Sequence, residues 1–145
     1  MSRERKPTLI ALFRQTSRLM VDELVDRMHR AGYPDCTAAH HAVFEVIDPA
    51  GTRLTVLAER TGMTHQSMSE LVAAMERLGY VARVTDPSDG RARLVQLTAR
   101  GRQQVRRAIR EIAAIEREWT QRWTRAGFSG DLHEVLGRAL TEEPA

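Results

Sequence analysis

The sequence predicts a mainly α-helical chain carrying one short β-hairpin. Apolar residues recur at helical spacing in six segments, and Gly, Pro, Ser, Thr or Asp punctuates the joins. The period changes only after Gly79, where Val81 and Val84 lead to Asp86-Pro87-Ser88-Asp89-Gly90 and Val95 and Leu97 follow. Those five residues between the apolar pairs are turn chemistry.

Each element has its own local reason. Leu9, Phe13, Met20, Leu24 and Met28, with Leu12 and Leu19 alongside, draw one stripe on a helix over 8–30, which Gly32 and Pro34 end. A second helix is expected from a Thr37 cap through Ala38, Val43, Phe44 and Ile47, until Asp48-Pro49-Ala50-Gly51 breaks the pattern. A short third helix, 54–61, stops at Gly62. Thr64 is placed to cap a fourth, which buries Met68, Leu71, Val72 and Met75 before Gly79. After the hairpin, Thr98 caps a long helix with Val105, Ile109, Ile112 and Trp119 on one face. A last helix follows Ser129 and carries Leu132, Val135, Leu136 and Leu140.

A chain of 145 residues can bury one real core. With 42% hydrophobic, 28% charged and 5% aromatic residues it has the profile of a folded, helix-rich protein and not of a disordered tail. Large multi-site enzymes are disfavoured, and no nucleophile elbow, phosphate loop or metal-ligand spacing occurs. No stretch approaches the ~18 consecutive apolar residues of a membrane span, so a cytoplasmic protein is expected. The lone cysteine, Cys36, excludes an internal disulfide framework and a multi-cysteine zinc site. The net charge is only +3, but arginine supplies every basic residue except Lys6, and its planar fork suits phosphate and guanine. Genome base composition explains the same bias, so charge alone decides nothing.

The segment from Leu54 to Gly79 carries the chemistry. Ala58 allows two helices to approach, Gly62 turns between them, and Met68 and Leu71 pack the second onto the first. A plain helical hairpin would share those apolar positions. It would not need the polar outer face of the fourth helix, where Thr64, His65, Gln66, Ser67, Ser69 and Glu70 cluster. Short polar groups on one helix can reach base edges in a major groove, and Gln66 can bond adenine bidentately. Ser67 and Ser69 suit bases or phosphates, whereas His65 reads equally as a bystander. Past the hairpin tip lie Arg91 and Arg93, beside Asp89, which is expected to orient a guanidinium by a paired salt bridge. Arginine there suits a narrow minor groove, while a solvated charged turn is the alternative. Together the parts describe a winged helix-turn-helix, a DNA-reading unit over 34–98. Helical regions at 1–33 and 99–145 flank it, and their stripes are too long for one subunit to cover, so a homodimer is expected.

The run LAERTGMTHQSMSELVAAMERLGYVARVTDPSDGRARLVQLTARG resembles the core of the MarR family of winged-helix regulators. The pattern Asp86, Pro87, Asp89, Arg91, then Leu97, Thr98 and Gly101 is its most specific part. The resemblance implies a two-fold dimer on a palindromic operator. It also implies repression, released by a small aromatic or anionic ligand or, in some members, by cysteine oxidation. Arg91 matches the wing arginine that enters the minor groove, and Thr64 to Glu70 match the base-reading turn. Gly90 stands where a second wing arginine is common and Glu70 where a basic or neutral residue is common, which leaves the operator sequence open.

The resemblance also places effectors between the DNA-reading and dimerisation regions, making Phe13, His40, His41 and Phe44 candidate ligand contacts. Packing explains those aromatics as well. Adjacent His40 and His41 diverge by about 100° on a helix and cannot both grip one metal, so no metal or other cofactor is expected. Cys36, at the entrance of the second helix, is a redox-sensor candidate only if that helix lowers its pKa; a small packed residue is the simpler reading. Trp119 and Trp123 belong to a core or dimer seam. The rival to DNA reading is a winged helix used for protein contact or ligand binding alone.

Overall fold

The computed structural model describes residues 6–142. Six helices and a hairpin follow in order: α1 (Leu9–Arg30), α2 (Ala38–Val46), α3 (Leu54–Thr61), α4 (His65–Arg77), β1 (Val81–Asp86), β2 (Asp89–Leu97), α5 (Ala99–Arg125) and α6 (Leu132–Thr141). The winged helix-turn-helix with flanking helices is therefore the architecture observed. The outermost residues of the expected dimerisation region, 1–5 and 143–145, lie outside the described residues.

Local capping starts most of the helices. Thr37, Thr64 and Thr98 each take the amide three residues on, from His40, Ser67 and Gly101, at 3.2, 3.1 and 3.0 Å. Thr8 does the same for α1. α6 is capped by Asp131, two residues beyond the serine that the sequence suggested, because the carboxylate accepts from the Glu134 amide. α3 is the exception, for its N-cap residue is Arg53 and that side chain makes no capping bond. Gly62 and Gly79 adopt φ of +71° and +80°, the left-handed conformation that lets α3 and α4 stop within one residue.

The hairpin pairs Val81 with Leu97 through Thr85 with Arg93 and loses regular register between Thr85 and Asp86. A further backbone segment leans on it: Thr52 and Val95 exchange two amide–carbonyl bonds, each 2.9 Å. This bridge, absent from the sequence reading, fixes the loop before α3 to the sheet.

Two apolar cores result. Val43, Leu57, Ala58, Met68, Val72, Met75, Val81 and Val95 fill the helix-turn-helix and its wing. Leu24, Met28, Cys36 and Ile115 form the second, between α1 and α5. Arg27 of α1 reinforces that pairing through Glu118 of α5 at 2.7 Å and is itself held by Glu23, one turn back on α1, at 2.5 Å. Only the C-terminal half of the α1 stripe is covered. Leu9 is 71% exposed, Phe13, Ile109 and Val135 are exposed, Leu140 is 86% exposed, and α6 buries none of its residues.

Candidate nucleic-acid interface

The first turn of α4 presents its polar residues to solvent. Thr64, His65, Gln66, Ser67 and Glu70 are exposed and Ser69 is half-buried, while Met68, Val72 and Met75 anchor the opposite face. Thr64 uses its hydroxyl twice, accepting from the Ser67 amide and donating to Ser67 Oγ at 2.9 Å. Gln66 Nε2 donates to Glu70 Oε1 at 3.4 Å, one turn on. Glu70 thus holds the amide end of Gln66 and leaves its carbonyl free.

The wing differs in one contact from the sequence expectation. Asp89 pairs with neither Arg91 nor Arg93 through a guanidinium. Its Oδ1 accepts from the Arg91 backbone amide at 3.1 Å, and its Oδ2 lies 3.7 Å from Nη2 of Arg53. Proximity in sequence favoured Arg91, but the carboxylate takes the Arg91 backbone amide instead and leaves that guanidinium exposed. Arg91 and Arg93 are both exposed and, among the described residues, neither is in a salt bridge.

Arg53 itself is the residue that sequence reasoning missed. Its Nε and Nη2 donate to Oδ2 of Asp86 at 3.0 and 2.7 Å, while Oδ1 of Asp86 accepts from the Ser88 amide and hydroxyl at 2.8 and 2.7 Å. Asp86 is only 6% exposed. The Ser88 hydroxyl and then the Arg53 guanidinium hold its pKa at about 2. The available signal was negative: an arginine stood where a capping Ser, Thr, Asp or Asn is usual.

A second cluster joins this lobe to α5. Buried Tyr80, in the α4–β1 turn, donates to Asp35 Oδ1 at 2.5 Å, and the Arg100 guanidinium lies 4.9 Å from its ring centroid. Burial, and then the Asp35 bond, push the phenol above its ordinary pKa. Thr98 donates its amide to Tyr80 O at 3.0 Å and its hydroxyl to Gly79 O.

A family model described as MarR family matches residues 35–92. The transcriptional regulator HosA of Escherichia coli O111:H- is 36% identical over 104 residues, covering 71% of this chain and 73% of that protein. The chain belongs to the MarR family. Solved structures agree in fold. The Staphylococcus aureus MepR–DNA complex superposes with a TM-score of 0.69 at 21% identity, covering 94% of this chain and 96% of that one. CouR from Rhodococcus jostii RHA1, bound to p-coumaroyl-CoA, gives 0.70 at 19%, covering 95% and 90%. This MarR-family chain is accordingly a transcription regulator with a DNA-binding winged helix, and its family is one of regulators and not of enzymes.

The regulator has a largely apolar groove of about 990 Å³ between α1, α2, α5 and α6. Phe13 and His41 line it with Met20, Glu45, Trp123 and Leu136. His40 and Phe44 do not. They sit on another face of α2, each with its ring centroid 6.2 Å from that of Tyr80. The ~100° between consecutive helical residues puts His41 on the groove side of α2 and turns His40 away from it.

Cys36 is buried, and desolvation pushes its thiol above the ordinary value, opposite to what a redox sensor needs. Trp119 packs against the α1–α5 core and tilts against Trp123 at 5.9 Å. Among the described residues no three His, Cys, Asp or Glu side chains are grouped to hold a metal ion, and no helix is long and apolar enough to cross a membrane.

Proposed function

We propose that this regulator binds a palindromic operator as a homodimer and represses transcription until a small aromatic or anionic ligand releases it. The observation that carries the reading is the pair of unengaged surfaces on the helix-turn-helix lobe, the first turn of α4 and the arginines past the wing tip. In the reading, each α4 enters a major groove about 10 base pairs from its mate. The carbonyl of Gln66 and the hydroxyls of Ser67 and Ser69 face base edges, and the amides of the first turn favour a phosphate. Thr64 holds the turn, His65 flanks it, and Glu70 orients Gln66. Arg91 enters the adjacent minor groove, Arg93 meets the backbone, and Asp89 shapes the turn between them. MepR, of the same fold, was solved on DNA.

Support for the homodimer comes from uncovered apolar side chains at both ends of the chain, on the first half of α1 and along α6. These belong to the flanking regions, leaving 34–98 as the reading unit. The groove supports the effector, its walls including Phe13 of α1 and His41 of the reading unit. CouR holds p-coumaroyl-CoA.

Footprinting the promoter of the protein's own gene, with and without aromatic acids, tests the whole. A protected palindrome that disappears with ligand is expected, with affinity falling steeply as salt rises because arginines displace counterions. Arg91→Ala should weaken binding on every sequence, whereas Gln66→Ala should shift base preference by roughly 1 to 3 kcal/mol. Sedimentation at micromolar concentration should give twice the chain mass. A monomer, or binding flat in salt, would overturn the corresponding part.

A further inference from the structure

The reading helix and the wing must present their contacts at a fixed separation, yet a two-stranded hairpin is too weak on its own to hold one. Its ladder fails where stiffness is most needed, at the Thr85/Asp86 irregularity just before the tip. Past that point Asp86 still pairs with Asp89, and the carboxylates of both face one guanidinium.

We propose that Arg53 is a positioning residue for DNA recognition, which by holding Asp86 and Asp89 sets where Arg91 leaves the wing relative to the first turn of α4. The inference rests on the reading that α4 and Arg91 engage duplex DNA.

The backbone of Arg53 is held on one side by the two-bond bridge between Thr52 and Val95 and on the other by α3, whose first amides bond back to Arg53 O. Its Cα is therefore part of the helix-turn-helix frame. The side chain leaves α3 uncapped and crosses to the wing. There it meets two carboxylates, Asp86 through two hydrogen bonds and Asp89 through a longer ion-pair contact of 3.7 Å. Asp86 gives Oδ2 to Arg53 and Oδ1 to Ser88, and Asp89 gives Oδ2 to Arg53 and Oδ1 to the Arg91 amide. One oxygen of each acid faces the frame and the other shapes the turn, so the path from frame to Arg91 runs through two side chains. Arginine suits the position because its fork offers several donors in one plane, which a lysine ammonium does not.

Arg53 is 44% exposed on its side chain, so the rival role is a direct phosphate contact. The two roles give opposite signs for one substitution. If Arg53 positions the wing, Asp86→Asn breaks the strap and weakens DNA binding. If Arg53 grips phosphate, the same substitution frees it and strengthens binding.

The test measures anisotropy on an operator selected by the wild-type protein. Arg53→Ala and Asp86→Asn should each weaken binding roughly ten-fold, and Arg53→Ala/Arg91→Ala should bind no worse than about two-fold below Arg91→Ala alone, because both changes remove one contact. Selection from a random library should show Arg53→Ala keeping the bases read by α4 while losing the preference for a narrow A·T-rich groove beneath the wing. Asp89→Asn, at the exposed end of the strap, should reproduce a several-fold loss in a protein whose melting temperature is unchanged. Tighter binding by Asp86→Asn, additive losses in the double variant, or wild-type affinity in Arg53→Ala would each overturn the proposal. A wild-type protein that selects no duplex would overturn the DNA-reading assignment beneath it instead.

Discussion

Glycine inside a helix is ordinarily a weakness, and replacing it with alanine stabilises by up to about 1 kcal/mol. Gly101, in the first turn of α5, should behave in the opposite way. A Cβ built there meets Tyr80 O at 2.0 Å, Tyr80 C at 3.0 Å and Leu97 Cδ2 at 3.3 Å. Carbon and carbonyl oxygen tolerate no closer approach than about 3.3 Å, so the two backbones must separate by roughly 1.3 Å. Both obstructing Tyr80 atoms are main chain, and neither can rotate away. Their separation strains the bonds from Thr98 N and Thr98 Oγ1 to Tyr80 O, at 3.0 and 3.1 Å, each worth about 1 kcal/mol.

Overpacking adds about 1 to 3 kcal/mol, and the propensity gain returns up to about 1, so Gly101→Ala should destabilise by about 2 to 4 kcal/mol. For a chain of this size that is roughly a 6 to 12 °C fall in melting temperature. Gly137, in α6, is the control, since its added Cβ meets nothing within 4 Å and the substitution should be neutral or mildly stabilising. Urea titrations of both variants at one protein concentration separate the cases, the match in concentration being needed if folding is coupled to association. A Gly101→Ala protein within about 0.5 kcal/mol of wild type would refute the reasoning, because the close approach of α5 to the α4–β1 turn would then not exist.

Two further outcomes follow from ionisable groups. Asp86 is held at about pKa 2, below its ordinary 3.8, so it stabilises the folded state above pH 4 and the contribution disappears as pH falls from about 4 to 2. Denaturant titrations should therefore show the gap between wild type and Asp86→Asn constant from pH 5 to 8 and narrowing toward pH 2; a gap unchanged at pH 2 would contradict the strap. Cys36, buried with its thiol pushed upward, stays protonated at neutral pH, so a thiol reagent should label it only in denaturant, and peroxide should leave operator affinity unchanged. Rapid labelling of the native protein would contradict that assignment.

What the sequence made legible was whatever a few neighbouring residues decide among themselves. Thr37, Thr64 and Thr98 act on amides three positions away, and Gly62 and Gly79 need only their own φ, so those boundaries appear where the sequence places them. Gly101 shows the limit of that reasoning. Its place in the wing pattern was visible, but its reason, a carbonyl from another element lying on its Cα, is a tertiary fact. The partner of Asp89 was misassigned for the same reason. Arg91 is near in sequence, whereas Arg53 is near only because Thr52 bridges to Val95 and brings the start of α3 against the hairpin. The family resemblance grouped His40 and Phe44 with Phe13 and His41, although helical phase turns His40 and Phe44 away from the groove that His41 lines. That separation gives α2 two faces with different duties. His41 and Glu45 look into the groove, while His40 and Phe44 lean on Tyr80, whose backbone leads from the reading helix into the wing. The apolar stripe of α1 had the converse ambiguity: its period identifies a face that must be covered, but Leu24 and Met28 find their cover in α5 whereas Leu9 and Phe13 stay exposed among the described residues. Periodicity measures how much surface has to be buried, and only the fold reveals how much of it one subunit can bury.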